Sequence, residues 1–179
     1  MNHIGIISPG KMGRTLALTL NANGNKTYFA SRSRKPETVT LAKQAGIIEL
    51  PSIKNLVQEC DTIICIGTQG IAFNTASQVV LAQPYDGLYI DFNSLHTPQE
   101  EKDWRFLMEM SNSRYVEGAL QGYPFDILPK TSDTHLMILS GEHADEAEKL
   151  FANTIWYIEK TKRNAKTVNR EPFQQSHDG

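Results

Sequence analysis

Short apolar runs alternate with stretches of helical period along most of this chain. Ile4, Ile6 and Ile7 come first; a β-branched run of that length reads as a buried strand. The pattern changes at Ser8-Pro9-Gly10, after which Leu16, Ala17 and Leu20 recur at helical spacing through 14–20. Further strands are expected at 27–30, 47–50, 62–66, 88–91, 114–118, 135–140 and 155–158. Helices are expected between them at 37–45, 52–59, 72–81, 98–110 and 142–151. Gly24 and Gly46 stop two of these helices, Ser52 caps a third, and Pro98 opens a fourth. Strands that are continuous apolar runs, each followed by a helix, predict an α/β fold. The expected architecture is a doubly wound, mostly parallel sheet with helices on both faces.

Composition bounds this picture without changing it. A chain of 179 residues predicts one domain, here 1–158, with enough length to bury a full core. Residues 159–179 are basic and polar, with Val168 and Phe173 as almost the only large apolar side chains. They read as a tail that gains order only by association. A net charge of −2 carries no footprint of nucleic-acid or membrane-surface binding. The longest apolar runs are strand-sized, and the first strand begins almost at once, leaving no room for a signal peptide; a cytoplasmic location is expected. Cys60 and Cys65 read as buried free thiols, and no His stands at a spacing that would make them metal ligands. Trp104 and Trp156 read as packing residues.

The chemistry begins at the first strand–helix junction. Ser8-Pro9-Gly10-Lys11-Met12-Gly13 has the spacing of a glycine-rich phosphate turn, with Ser8 where the first glycine usually stands. Gly10 lets backbone approach a pyrophosphate, Gly13 lets the helix pack closely on the strand, and the free N–H groups of the helix start face the anion. Ser8 departs from the pattern, because serine adopts positive φ only at a cost. One βα unit later, Ser31-Arg32-Ser33-Arg34-Lys35 ends the second strand. A carboxylate there selects NAD by its ribose hydroxyl; this chain has cations and hydroxyls instead, which suit the 2′-phosphate of NADP. Gly67-Thr68 and Asn93-Ser94 follow later strands, so they fall on the same rim of the sheet. His96 lies two residues beyond Ser94, a possible proton carrier or an ordinary loop histidine.

At this point the sequence resembles the β-hydroxyacid dehydrogenase family, which includes 6-phosphogluconate and 3-hydroxyisobutyrate dehydrogenases. IGIISPGKMG, SRSRK, DFNSLHTP, YVEGALQG and HLMILSG carry the likeness, in that order, across about 1–158. The resemblance implies a Rossmann-type NADP-binding domain and an oxidoreductase that passes hydride between NADP and a small hydroxy acid. It places Ser8 to Gly13 at the pyrophosphate, Ser31, Arg32 and Ser33 at the 2′-phosphate, and Gly67 and Thr68 near the nicotinamide ribose. Asn93 and Ser94 match the family's pair beside nicotinamide and substrate, with Ser94 touching the reacting groups. Gly118 and Ala119 match its substrate-carboxylate loop, although Glu117 there would repel a carboxylate. Lys166, in NAKTVN, matches the catalytic lysine.

The family continues into an all-helical domain for which too few residues remain here. The expectation is therefore a shortened member, weakly active or inactive alone, with a homodimer or a partner supplying the other half. Two alternatives differ in class: a non-catalytic NADP-binding module, or an NADPH reductase resembling the F420-dependent type.

Overall fold

The computed structural model describes residues 1–67, 71–82, 84–93 and 97–170. In chain order its elements are β1 (His3–Ile7), α1 (Lys11–Ala22), β2 (Lys26–Ala30), α2 (Pro36–Gln44), β3 (Ile48–Leu50), α3 (Ile53–Glu59) and β4 (Thr62–Cys65). They continue as α4 (Ala72–Ala82), β5 (Leu88–Asp91), α5 (Pro98–Met110), β6 (Arg114–Gln121), β7 (Leu136–Ser140), α6 (Ala144–Phe151), β8 (Tyr157–Thr161) and α7 (Ala165–Arg170). The strands form one eight-stranded sheet in the order β3-β2-β1-β4-β5-β6-β7-β8. Every pairing is parallel except β6 with β7. This is the expected doubly wound Rossmann-type fold, and the strand order reverses between β1 and β4. Ligands of such sheets sit in the crevice outside that reversal, at the carboxyl ends of the strands.

Alternation along each strand divides the core into two layers. Ile4, Ile6, Ile64, Leu88 and Ile90 face one side, against Leu16, Leu20 and Phe151. Ile7, Ile63, Cys65 and Tyr89 face the other, against Leu56, Val79 and Trp104. Both faces are therefore covered, which is why the strand sequences are continuously apolar. The helix starts follow local chemistry. Ser52 Oγ accepts from the Asn55 N–H at 3.4 Å. Thr97 Oγ1 accepts from the Glu100 N–H at 3.1 Å while Glu100 Oε2 accepts from the Thr97 N–H at 3.0 Å, a reciprocal cap. No helix among the described residues is long and apolar enough to cross a membrane.

Residues 157–170 form two further elements, and 171–179 lie outside the described residues. β8 starts at Tyr157 and runs to Thr161, past the expected boundary at 158. Beyond it α7 packs on β6 and β7, with Ala165 and Val168 against Ala119 and Ile138. Residues 157–170 thus add an edge strand and a short helix that packs on the sheet. The cause is the sheet: Leu120, Met137 and Leu139 turn toward the α6 side, which leaves Ala119 and Ile138 on the opposite face, and α7 covers them. Few apolar residues suffice because buried polar bonds do the rest. The Ala165 N–H donates to Ser140 Oγ at 3.0 Å, and Asn164 Nδ2 donates to Glu117 Oε2 at 2.8 Å.

Candidate functional site

The turn from β1 to α1 is built on a strained residue and a glycine. Ser8 stands at φ +62°, a region that costs an ordinary side chain about 1–2 kcal/mol. Its carbonyl accepts from the Gly10 N–H at 2.7 Å, closing the turn. A Cβ on Gly13 would lie 2.9 Å from that carbonyl and 3.3 Å from Ile6 Cγ2, so only glycine lets α1 approach β1 this closely. Gly10 precedes α1 with open space where a side chain would be, and no side chain caps the helix. The first N–H groups of a twelve-residue helix therefore face an open cavity.

That cavity, about 720 Å³, runs along the carboxyl ends of the strands. Ser8, Pro9, Gly10, Lys11, Met12 and Gly13 form one wall. Ser33, Arg34, Lys35 and Thr38 form another. Of the residues expected at the end of β2, only Ser33 lines it; Ser31 and Arg32 do not. Their N–H groups are tied to the carbonyls of Leu50 and Pro51 at 3.0 and 3.1 Å. The chain then turns through Ser33 at φ +66°, which brings Arg34 and Lys35 to the cavity instead. A second left-handed residue in a short loop is invisible to side-chain pattern, so the sequence pointed to this segment without showing that Arg34 and Lys35 line the cavity.

Gly67, Asn93, Ala119 and Lys166 line the far end, together with Phe92 and Asn169. Asn93 organises it. Asn93 Oδ1 accepts from the Gly67 N–H at 2.7 Å, and Nδ2 donates to Asp91 Oδ2 at 3.1 Å and to Cys65 Sγ at 3.2 Å. Its side chain holds the ends of β4 and β5 in place. Burial, and then the charge of Asp91, push the Cys65 thiol up to about 12, so the sulfur here is an acceptor and no nucleophile. Thr68, Ser94 and His96 lie outside the described residues.

Gly118 is not in a loop and does not line the cavity. It lies within β6, where a side chain would run into the Phe92 ring. Glu117 is likewise in the strand, and its side chain is satisfied. Arg105 Nε and Nη2 donate to its two carboxylate oxygens at 3.1 and 3.0 Å, and Asn164 donates as well. Those hydrogen bonds hold the Arg105 guanidinium above its ordinary range. Pairing with Arg105 offsets the charge of this carboxylate, and Glu117 is not among the residues that line the cavity.

Lys166 is brought to the rim by α7, buried to 4 % exposure. Its Nζ donates to Asp91 Oδ1 at 3.0 Å and to three carbonyls: Asn93 at 2.6 Å, Asp91 at 3.1 Å and Gly118 at 3.1 Å. Four oxygens share three N–H groups. The sequence places Asp91 on this rim, at the end of β5 and two residues before Asn93, but its pairing with Lys166 was not expected.

An open glycine turn at the strand-order reversal, in a cavity also lined by Arg34 and Lys35, is the arrangement of a dinucleotide-binding domain of the Rossmann class. The particular family follows from comparison. The sequence profile of the NAD-binding domain of 6-phosphogluconate dehydrogenase matches residues 3–116, and the chain belongs to that family. No curated protein sequence matches it. Among solved structures it is similar to MTH1747, a conserved protein of unknown function described as structurally similar to 3-hydroxyacid dehydrogenases. The TM-score is 0.74 at 23 % identity, over 93 % of this chain and 61 % of that one. It is also similar to an imine reductase from Myxococcus stipitatus in complex with NADP+, at TM-score 0.70 and 18 % identity, over 93 % of this chain and 58 % of that one. A variant of the Myxococcus stipitatus enzyme in complex with NAD+ gives TM-score 0.70 at 15 % identity, over 94 % and 58 %. The chain thus spans about three-fifths of the length of the structures it matches.

Proposed function

We propose that the cavity binds NADP(H) and that the chain is the nucleotide half of an oxidoreductase of the β-hydroxyacid dehydrogenase type. The observation that carries this reading is the pairing of two walls. The uncapped start of α1 faces one end of the cavity, and Ser33, Arg34 and Lys35 line it where the adenosine ribose of a dinucleotide would lie. The residues fit the cofactor: the space beside Gly10 is open, Gly13 admits the close helix, and the cations suit a 2′-phosphate. A bound nicotinamide supplies hydride transfer; the chain supplies the turn that holds the pyrophosphate and the wall of Ala119 and Leu120 at the far end. The substrate in this reading is a small hydroxy acid, oxidised slowly by the chain alone.

A second reading, a non-catalytic NADP-binding module, is favoured by Lys166. An amine that takes a proton from an alcohol must reach it within about 3 Å, yet this Nζ is already engaged by four oxygens. Calorimetric titration with NADPH and NADH tests the shared part of both readings. Tighter binding of NADPH by more than about tenfold, the worth of one charge-assisted contact of about 1.5–3 kcal/mol, is expected. Equal affinities would sink the NADP assignment, and NADPH formation from a panel of β-hydroxyacids separates enzyme from module.

A further inference from the structure

We propose that Asp91 is a positioning residue that couples the seating of α7 to occupancy of the nucleotide cavity, acting through Lys166. The inference rests on reading that cavity as the nucleotide site. Asp91 is fully buried at the end of β5, in register with Cys65 of β4 and Glu117 of β6. One carboxylate oxygen, Oδ1, accepts from the Asn93 N–H at 2.9 Å and from Lys166 Nζ at 3.0 Å. The other, Oδ2, accepts from Asn93 Nδ2 at 3.1 Å. The same carboxylate therefore fixes the residue that holds Gly67 and the ammonium that holds α7. Gly67 in turn lies against the phosphate turn, since a Cβ there would sit 3.2 Å from Ser8 Oγ.

The element that moves is α7. Six residues are too few for a helix to persist in water on its own. Its apolar anchors, Ala165 and Val168, are small. Asn164, the Ala165 N–H and Asn169 fasten it to Glu117, Ser140 and Gln121, on β6 and β7. Asn169 also lines the cavity, and Lys166 ties the helix to Asp91 and Asn93 at the end of β5. Its ammonium sits deeply buried, and such a charge is stable only while its partners are held in place. A ligand that presses on the Gly67–Asn93 corner orders those partners, and so favours α7 seated over α7 released. By linkage, seating α7 favours the ligand by the same factor. Asp91 is not among the residues that line the cavity; it acts by joining Asn93 to Lys166.

The test is amide hydrogen exchange on the whole chain, with and without NADPH. In the wild type, NADPH is expected to slow exchange of residues 165–170 by about fivefold or more, the lower end of ordinary couplings. In Asp91→Asn and in Lys166→Met, that slowing should shrink below about twofold, the protein remaining folded by circular dichroism and NADPH binding persisting more weakly. A residue that merely stabilises the fold would lower the melting temperature and leave the nucleotide-dependent slowing intact; that result in either folded variant overturns the proposal. So does a wild-type chain that binds NADPH with no change at 165–170. That arm needs no variant, so misfolding of one leaves the proposal falsifiable. Absence of binding heat for both NADPH and NADH overturns the nucleotide reading itself, and the coupling with it.

Discussion

Ser8 and Gly13 make the phosphate turn between them: the Ser8 carbonyl stands 2.9 Å from the point a Gly13 Cβ would occupy. Ser8 supplies the left-handed residue at φ +62° and Gly13 the space. Gly13→Ala must push α1 away from β1, because the obstructing atom is backbone rather than a flexible side-chain end. The expected cost is about 1–3 kcal/mol in urea unfolding, with a matching loss of NADPH affinity. An alanine variant as stable as the wild type would show that the turn can yield.

Ser8→Gly tests the other half. Glycine removes the strain of a serine at positive φ, about 1–2 kcal/mol, but loses about 0.5–1 kcal/mol of backbone entropy on folding. The net expectation is a stability equal to the wild type or up to about 1.5 kcal/mol higher. A clear destabilisation would mean that Ser8 Oγ, beside Gly67, contributes a contact worth more than the strain.

Most of the architecture was legible, because a parallel sheet covered on both faces leaves continuous apolar strands in the sequence. Ile4, Ile6, Ile63, Ile64 and Ile90 are all fully buried and all fell in expected strands. The glycine turn was legible for a related reason: backbone approach and positive φ limit the residue types allowed. What stayed hidden was held by polar atoms. Residues 165–170 carry too little apolar pattern to mark a helix, and their order comes from Lys166, Asn164 and Ser140, whose partners lie far away in sequence. Which cations line the cavity was hidden likewise, because the turn through Ser33 at φ +66° is closed by backbone, the Arg34 N–H donating to the Ser31 carbonyl at 3.0 Å.

That turn gives a direct comparison of two arginines. Arg34 lines the cavity and Arg32 does not. Arg34→Ala should weaken NADPH binding by about tenfold or more, as loss of a charged hydrogen bond does, and leave NADH binding nearly unchanged. Arg32→Ala should change either by less than about threefold, an exposed contact being worth under about 1 kcal/mol. The reverse order in calorimetry would return the 2′-phosphate to Arg32.

The two buried thiols set an alkaline limit. Burial pushes Cys60 and Cys65 from 9.0 up to about 12. Above pH 9 the unfolded chain loses these protons while the folded chain keeps them. Stability present below pH 9 is therefore lost as pH rises toward 12, by about 1.4 kcal/mol per pH unit for each thiol at most. Tyr85 and Tyr89, also pushed up by burial, add to the loss above 10. Urea unfolding below and above pH 9 reads the slope, and Cys60→Ala should reduce it by one proton. A slope unchanged in that variant would assign the loss elsewhere.

Lys166 divides a structural role from a chemical one. Removing it takes an ammonium from beside a carboxylate that is itself fully buried, and breaking such a pair costs about 3–5 kcal/mol. Lys166→Ala should therefore lower stability by that order, and Asp91→Asn in the same chain should restore part of it, since the second change removes the charge left without its cation. A general base predicts a different signature: turnover of β-hydroxyacids that Lys166→Ala abolishes in a chain still folded and still binding NADP. With Nζ engaged by four oxygens, the expected turnover of the wild type stays well below about 1 s⁻¹, the lower end of ordinary enzyme rates. NADPH formation followed by absorbance, on a chain shown by sedimentation to be monomeric, decides it. A rate at or above that value, lost with Lys166, would establish the lysine as the base and show that the bonds to Asp91 and the rim open when substrate binds.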